Sequence, residues 1–217
     1  MLLTLIRHGE TEHNRGQLTL GRADVPLNHR GRLQARALAA SFEHPPAAIY
    51  ASPLQRCRET AQAIAAATSG SVTVEPDLIE MDVGEMEHLT REELRDRYPD
   101  FLRLWLAAPA EARMPLGEVR MPGGETLGEV QDRAWSAIER VAAAHPPSDS
   151  GRAAHVVAVT HNFVILTLAC RALGLPLDNF RRFRTTLAGR TLIDMRQSPP
   201  TLISWNDTAH LRATGLG

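Results

Sequence analysis

Two unbroken apolar runs mark this chain, and each stops on a histidine. Leu2-Leu3-Thr4-Leu5-Ile6 leads into Arg7-His8-Gly9-Glu10-Thr11, and Val156-Val157-Ala158-Val159 leads into Thr160-His161-Asn162. Continuous apolar runs of this length predict buried strands of a parallel sheet. Ile49-Tyr50-Ala51 and Val72-Thr73-Val74 predict two shorter strands. Elsewhere the apolar spacing changes to three and four, the helical period. Ala35, Leu38 and Phe42 form such a face after Asn28, a candidate N-cap, and Pro45-Pro46 ends that helix. Leu54, Cys57, Ala61 and Ile64 form a second, with Ser52 and Gln55 as a capping box and Pro53 in the first helical position. Thr90 and Glu93 form another capping box, for a helix that stops near Tyr98-Pro99, and Phe101, Leu102, Trp105 and Leu106 predict a short amphipathic helix beyond it. Val130, Ala134, Ala137, Ile138 and Val141 carry a longer helix to the loop at 145–152, and a further helix begins near Phe163. Leu192-Ile193-Asp194 and Leu202-Ile203-Ser204 predict a closing antiparallel pair, and the tail 209–217 is expected to fray.

In open α/β sheets the ligand crevice lies at the carboxyl ends of the strands. If the two long strands are parallel neighbours, His8 and His161 meet across one crevice. A lone histidine after a strand is usually structural; two at equivalent ends, with arginines available, suggest chemistry. His8 suits a nucleophile, a base or a metal ligand, and Arg7 suits an anion. Gly9 leaves room for a ligand or another backbone to come close. Arg56 lies in a first helical turn, off the apolar face, where the helix N-terminus already favours an anion and a guanidinium adds a bidentate donor. Residues 14–27 read as a loop crossing the crevice, punctuated by Gly16, Gly21, Asp24 and Pro26, with Arg22 as a second anion contact or a solvated surface residue. Glu80, Asp82, Glu85 and Glu87 crowd one segment, and their types alone do not choose among them. The stretch from Thr90 to Gly124 reads as an insertion over the crevice, where Arg113 and Arg120 either touch substrate or sit at the surface.

Composition narrows the partners. The chain has 217 residues, 43% hydrophobic and 23% charged, with net charge −1, enough for one packed α/β domain and without the basic excess that nucleic acid or an anionic membrane calls for. All 24 basic residues are arginine, so an arginine is informative only where its setting is special. Cys57 and Cys170 are too few and too far apart for a disulfide framework or a metal knuckle. No signal-peptide pattern and no apolar stretch of membrane-spanning length stand out, and the expectation is a soluble, cytoplasmic protein.

The motif Arg7-His8-Gly9-Glu10-Thr11 with Asn14 resembles the signature of the histidine phosphatase superfamily, also called the phosphoglycerate mutase-like family. Ser52-Pro53-Leu54-x-Arg56-x-x-x-Thr60-Ala61, the block from Leu78 to Glu87, the turn Pro122-Gly123-Gly124-Glu125-Thr126 and Thr160-His161-Asn162 extend the likeness over most of the chain. Two departures stand out: His88 where the family often has glycine, and Asn162 in a position that varies between glycine and asparagine. Pattern and resemblance together imply a single domain over 1–217, a three-layer α/β/α fold with a mostly parallel central sheet, one antiparallel edge strand and a small helical cap at about 84–124. The resemblance selects Arg56 over Arg58 and assigns the proton donor to Glu80, leaving Asp82, Glu85 and Glu87 as a solvated acidic face. It implies His8 as nucleophile, with Arg7, Arg56, His161, Asn14, Arg22 and Asn162 around the phosphoryl group and no metal or other cofactor. The expected partner is a small phosphorylated metabolite, and oligomeric state stays open, a homodimer included. The implied activity is metal-independent phosphomonoester hydrolysis. Cofactor-dependent mutase activity is the first alternative, although such mutases carry Glu-Arg-His-Tyr-Gly where this chain has Glu80-Met81-Asp82-Val83-Gly84. A non-catalytic phospholigand module and a zinc site built from His8, His13 and His161 are the other two, with His13 better read as a surface loop residue.

Overall fold

The computed structural model describes residues 1–107, 115–146 and 153–216. Chain order begins with β1 (Leu2–Arg7), α1 (Glu12–Arg15), α2 (His29–Ala40), β2 (Ala48–Ala51), α3 (Gln55–Thr68) and β3 (Val72–Val74). It continues with α4 (Arg91–Arg97), α5 (Pro99–Leu106), α6 (Leu127–Ala144), β4 (His155–Thr160), α7 (Asn162–Ala172), β5 (Arg190–Asp194), β6 (Thr201–Asp207) and α8 (Ala209–Arg212). Short 3-10 turns join several of these, including Pro76–Leu78 before the acidic segment.

The six strands form one sheet in the order β3-β2-β4-β1-β5-β6. β3, β2, β4 and β1 are mutually parallel, and β5 runs against both β1 and β6. The reversed strand is therefore one in from the edge and β6 is the edge strand, a difference of placement from the sequence expectation. A hairpin-like return forces it, since β6 must pair with the free side of β5.

The alternation of strand side chains builds the layers. Leu3 and Leu5 of β1 and Val156 and Ala158 of β4 point into a core shared with α5, α6 and α7, including Trp105, Ile138 and Ile165. Ile6, Val157 and Val159 point the other way, into a core with Leu38, Cys57, Ala61 and Ile64 of α2 and α3. Leu211 of α8 is buried in this second core, and Leu216 packs against it. The tail is thus anchored through α8 rather than frayed: its apolar side chains found a groove that sequence period alone could not indicate.

Two other local expectations change. Residues 12–15 form a helical turn, α1, in which Thr11 and Asn14 make a reciprocal capping box. α3 starts at Gln55 with Leu54 as its N-cap, so Pro53 precedes the helix and Ser52 does not cap it. The amide of Gln55 instead donates to Asp24 Oδ1 at 2.5 Å, a carboxylate supplied by the crevice-crossing loop. The capping boxes at Thr90–Glu93 and Thr126–Glu129 form as their spacing suggests, the first of them predicted from sequence. Arg113 and the loop at 147–152 lie outside the described residues. Among the described residues, no helix is long and apolar enough to cross a membrane.

Candidate active site

Strand register decides where the two histidines go. β1 and β4 pair with Arg7 opposite Thr160, so His8 and His161 are each the next residue at the ends of adjacent parallel strands. The His8 amide donates to Thr160 O at 3.0 Å, extending the ladder by one step. The imidazole centroids stand 5.2 Å apart at 62°, and both rings are buried.

Hydrogen bonds hold both rings. His8 Nδ1 lies 2.8 Å from the carbonyl of Gly9. A carbonyl only accepts, so Nδ1 carries the proton and a neutral His8 keeps its lone pair on Nε2. His161 Nε2 lies 2.7 Å from Ser52 Oγ, with Cys57 Sγ at 3.4 Å. The Ser52 hydroxyl thus serves His161 and also accepts the Leu54 amide at 3.4 Å, one residue ahead of α3. Burial holds both imidazoles well below the usual histidine range, and the charges of Arg56 and Arg7 push the same way. Two neutral rings face each other.

Arg56, in the first turn of α3, is fully buried beneath the crevice-crossing loop. Its Nη1 and Nη2 donate to Ala23 O and Gly21 O, both at 2.7 Å, while Glu87 accepts the amides of Gly21, Arg22 and Ala23 at 2.7, 2.8 and 3.2 Å. The loop is gripped by its carbonyls from one side and its amides from the other. Arg7 Nη1 donates to Thr185 O at 2.8 Å. The Nε atoms of Arg7 and Arg56 are buried, with no hydrogen-bond partner among the described residues. A buried charged donor left unmatched costs about 1–3 kcal/mol, so these two N–H groups are available to an anion.

Glu80 is buried beside them. Oε1 accepts the Met81 amide at 2.9 Å and Oε2 lies 3.4 Å from the Phe163 amide at the start of α7. Burial raises its pKa above the ordinary carboxylate value, resisted by those amides and by Arg56 and Arg7. Of the neighbouring carboxylates only Glu87 departs clearly from a solvated face, since Glu85 is exposed and Asp82 half-buried. Glu87 caps the loop, Asp82 Oδ1 accepts the Gly84 amide at 2.9 Å, and Glu85 accepts from the Tyr98 hydroxyl at 3.0 Å. Trp105 of α5 packs edge-on against Phe163 at 6.1 Å, which brings the helical insertion beside Glu80.

The remaining candidates separate. Asn14 Oδ1 accepts from the Thr11 amide and hydroxyl at 3.1 and 2.9 Å, which leaves its NH2 as the group able to donate to a ligand. Asn162 Oδ1 accepts from Thr185 Oγ1 at 2.8 Å. Arg22 is committed to carboxylates: Nη2 meets Glu125 Oε1 at 2.8 Å and Nη1 lies 3.5 Å from Asp82 Oδ2. It is a strut of the loop rather than a free anion contact. Arg120 donates to Gly124 O and Glu129 at the surface, so it too is engaged. His13 Nε2 sits 2.9 Å from His88 Nδ1 on the rim. His88 takes φ +67°, the left-handed conformation that glycine would adopt freely. Among the described residues no group of three or more His, Cys, Asp or Glu could hold a metal ion, so His8, His13 and His161 do not assemble into the three-histidine site. A cavity of about 1110 Å³ lies elsewhere, by Leu2 and His155 at the opposite ends of β1 and β4, and takes in none of these residues.

Sequence reading missed Ser52, Glu87, Glu125 and Arg133 as parts of this arrangement. Arg133 could have been suspected. It falls on the apolar stripe Val130, Ala134, Ala137, Val141, where a charge needs a buried partner.

A mostly parallel sheet covered on both faces, with histidines at two adjacent strand ends and guanidiniums near them, marks the histidine phosphatase class. The profile of the histidine phosphatase superfamily (branch 1) matches residues 3–208, and the chain belongs to that superfamily. It is 33% identical over 211 residues to phosphoserine phosphatase 1 of Hydrogenobacter thermophilus, covering 96% of this chain and 93% of the relative. It is 29% identical over 218 residues to the metal-independent phosphoserine phosphatase of Arabidopsis thaliana, covering 99% and 84%. The phosphoserine phosphatase of Entamoeba histolytica, solved in complex with 3-phosphoglyceric acid, superposes with a TM-score of 0.78 at 27% identity, covering 97% of this chain and 98% of that one.

Proposed function

We propose that this protein is a metal-independent phosphomonoester hydrolase acting on a small phosphorylated metabolite through a phosphohistidine. One observation carries the reading: two buried imidazoles 5.2 Å apart share the site with the guanidiniums of Arg7 and Arg56, whose buried Nε–H groups have no hydrogen-bond partner among the described residues. The names of the relatives point to phosphorylated amino or hydroxy acids as the first substrates to try.

The reaction follows from the side chains. His8 Nε2 attacks phosphorus with its lone pair, forming the P–N bond as the bond to the ester oxygen breaks. Arg7, Arg56, His161 and the Asn14 amide neutralise or bind the phosphoryl oxygens, where most of the acceleration in such transfers arises. The protonated Glu80 gives its proton to the departing oxygen. Glu80, now a carboxylate, takes a proton from water while that water attacks phosphorus, and the P–N bond breaks to release inorganic phosphate and neutral His8. The insertion at about 84–124 acts as the cap over this chemistry, and the free thiols Cys57 and Cys170 go with a reducing, cytoplasmic setting.

The test is hydrolysis of p-nitrophenyl phosphate, phosphoserine and 3-phosphoglycerate with and without EDTA, with phosphoprotein trapped by alkaline quench. Expected are turnover unaffected by chelator, a phosphorylated intermediate in the wild type, and neither in His8→Ala. Abolition by EDTA, or full activity in His8→Ala, overturns the reading. With bisphosphoglycerate added, formation of 2-phosphoglycerate faster than phosphate would give the mutase alternative instead.

A further inference from the structure

Glu80 sits in a segment with no regular secondary structure, yet a proton donor must be placed to within a fraction of an ångström. One side chain supplies the order. Arg133 projects from α6 with its side chain only 16% exposed. Its Nη1 donates to Asp77 O and Ile79 O, both at 2.7 Å, and its Nη2 donates to Glu80 O at 3.1 Å. Its Nε and Nη2 also meet Glu125 Oε1 and Oε2 at 3.0 and 3.1 Å. All three nitrogens of the guanidinium are engaged, mostly by the backbone that carries Glu80.

Glu125 extends the network in two directions. Its Oε2 accepts the Asp82 amide at 2.9 Å, two residues past Glu80. Its Oε1 also receives Arg22 Nη2, and Arg22 Nε reaches Glu80 O at 3.3 Å. The carbonyl of Glu80 therefore accepts from two guanidiniums, one on a rigid helix and one on the loop gripped by Arg56 and Glu87. The carboxyl at the other end of the residue is free to be set by the Met81 and Phe163 amides.

We infer that Arg133, acting with Glu125 and Arg22, is the positioning residue for the proton donor: it fixes the backbone of 77–82 and ties the crevice-crossing loop to the placement of the Glu80 carboxyl. The inference rests on the proposed phosphatase reading. A planar five-donor fork is needed for this set of acceptors, and lysine cannot reproduce it. The hydrogen bonds of Arg133 go to the backbone that carries Glu80 and to Glu125, and its charge also helps to hold His161 neutral, an effect that Arg133→Lys preserves.

The test separates acid placement from general loosening. Single-turnover phosphorylation of His8 is measured with phosphoserine, whose alkoxide needs a proton, and with p-nitrophenyl phosphate, whose leaving group hardly does. Arg133→Lys and Glu125→Gln are expected to slow the phosphoserine reaction by about ten- to a hundredfold, the cost of a displaced catalytic group, and the aryl reaction by less than about threefold. In a Glu80→Gln background either substitution should add almost nothing to the loss on phosphoserine, the non-additivity of residues acting on one step. Equal losses on both esters, or full additivity with Glu80→Gln, overturn the inference. Should Arg133→Lys fail to fold by circular dichroism, Glu125→Gln, which keeps the shape of the side chain, decides alone. A wild type that forms no phosphohistidine with either ester defeats the function itself, a result distinct from failure of the positioning role.

Discussion

Gly31 offers the sharpest test of how this site is supported. It lies in the first turn of α2, where helix propensity alone predicts that alanine stabilises by about 1 kcal/mol. The packing reverses that sign. A Cβ on Gly31 would stand 2.1 Å from Glu10 O and 2.7 Å from Glu10 N, and one on Gly9 would stand 2.6 Å from Gly31 O. Two glycine backbones are pressed together directly behind His8, which is the close approach that Gly9 suggested. Relieving the contact means moving α2 or the 9–10 peptide by about an ångström, in a region where overpacking typically costs about 1–3 kcal/mol. The Asn28 amide also donates to Glu10 O at 2.9 Å, so the shift threatens a bond worth about 0.5–1.5 kcal/mol more. Set against the propensity gain, Gly31→Ala should destabilise by about 1–3 kcal/mol, lowering Tm by about 2–4 °C per kcal/mol for a chain of this length. Because Gly9 O orients His8 Nδ1, kcat should fall as well, by up to about a hundredfold if the ring moves by an ångström. Urea unfolding and p-nitrophenyl phosphate kinetics measure both. A variant that melts higher and turns over normally would refute the claim that these two backbones brace the nucleophile.

Other outcomes follow from the electrostatics and the caps. The acid limb of kcat/KM should lie well below the ordinary histidine value of about 6.5, because His8 must be neutral to attack and its pKa is depressed. The alkaline limb should lie above the ordinary carboxylate value, because Glu80 is raised, and it should vanish in Glu80→Gln; an acid limb at or above 6.5 would count against neutral His8. Stability carries the same sign for the histidines. Unfolding releases His8 and His161 to bind protons below about pH 6.5, so acidification through that value should destabilise by up to about 1.4 kcal/mol per pH unit for each, and a flat profile in urea titrations between about pH 7 and 5 would contradict their burial as neutral rings. Asp24→Ala should cost about 1 kcal/mol by uncapping α3, and should raise KM by loosening the loop on which Arg56 acts; an unchanged melting curve would remove the cap.

Sequence alone determined much of this molecule. The apolar runs set the strands, the change of period set the helices, and histidines at the ends of two long strands located the crevice, because those signals depend on neighbours a few residues away. What it could not determine was the destination of the polar side chains. Ser52 reads as a helix cap and serves His161; Asp24 reads as a turn residue and caps α3; Glu87 reads as solvated and holds three amides; Arg22 reads as an anion contact and pairs with Glu125. Each of those choices is made by partners 31 to 109 positions away in the chain. Burial makes them compulsory, since a polar group removed from water must find a mate, and only the packed tertiary structure fixes which mate is within reach.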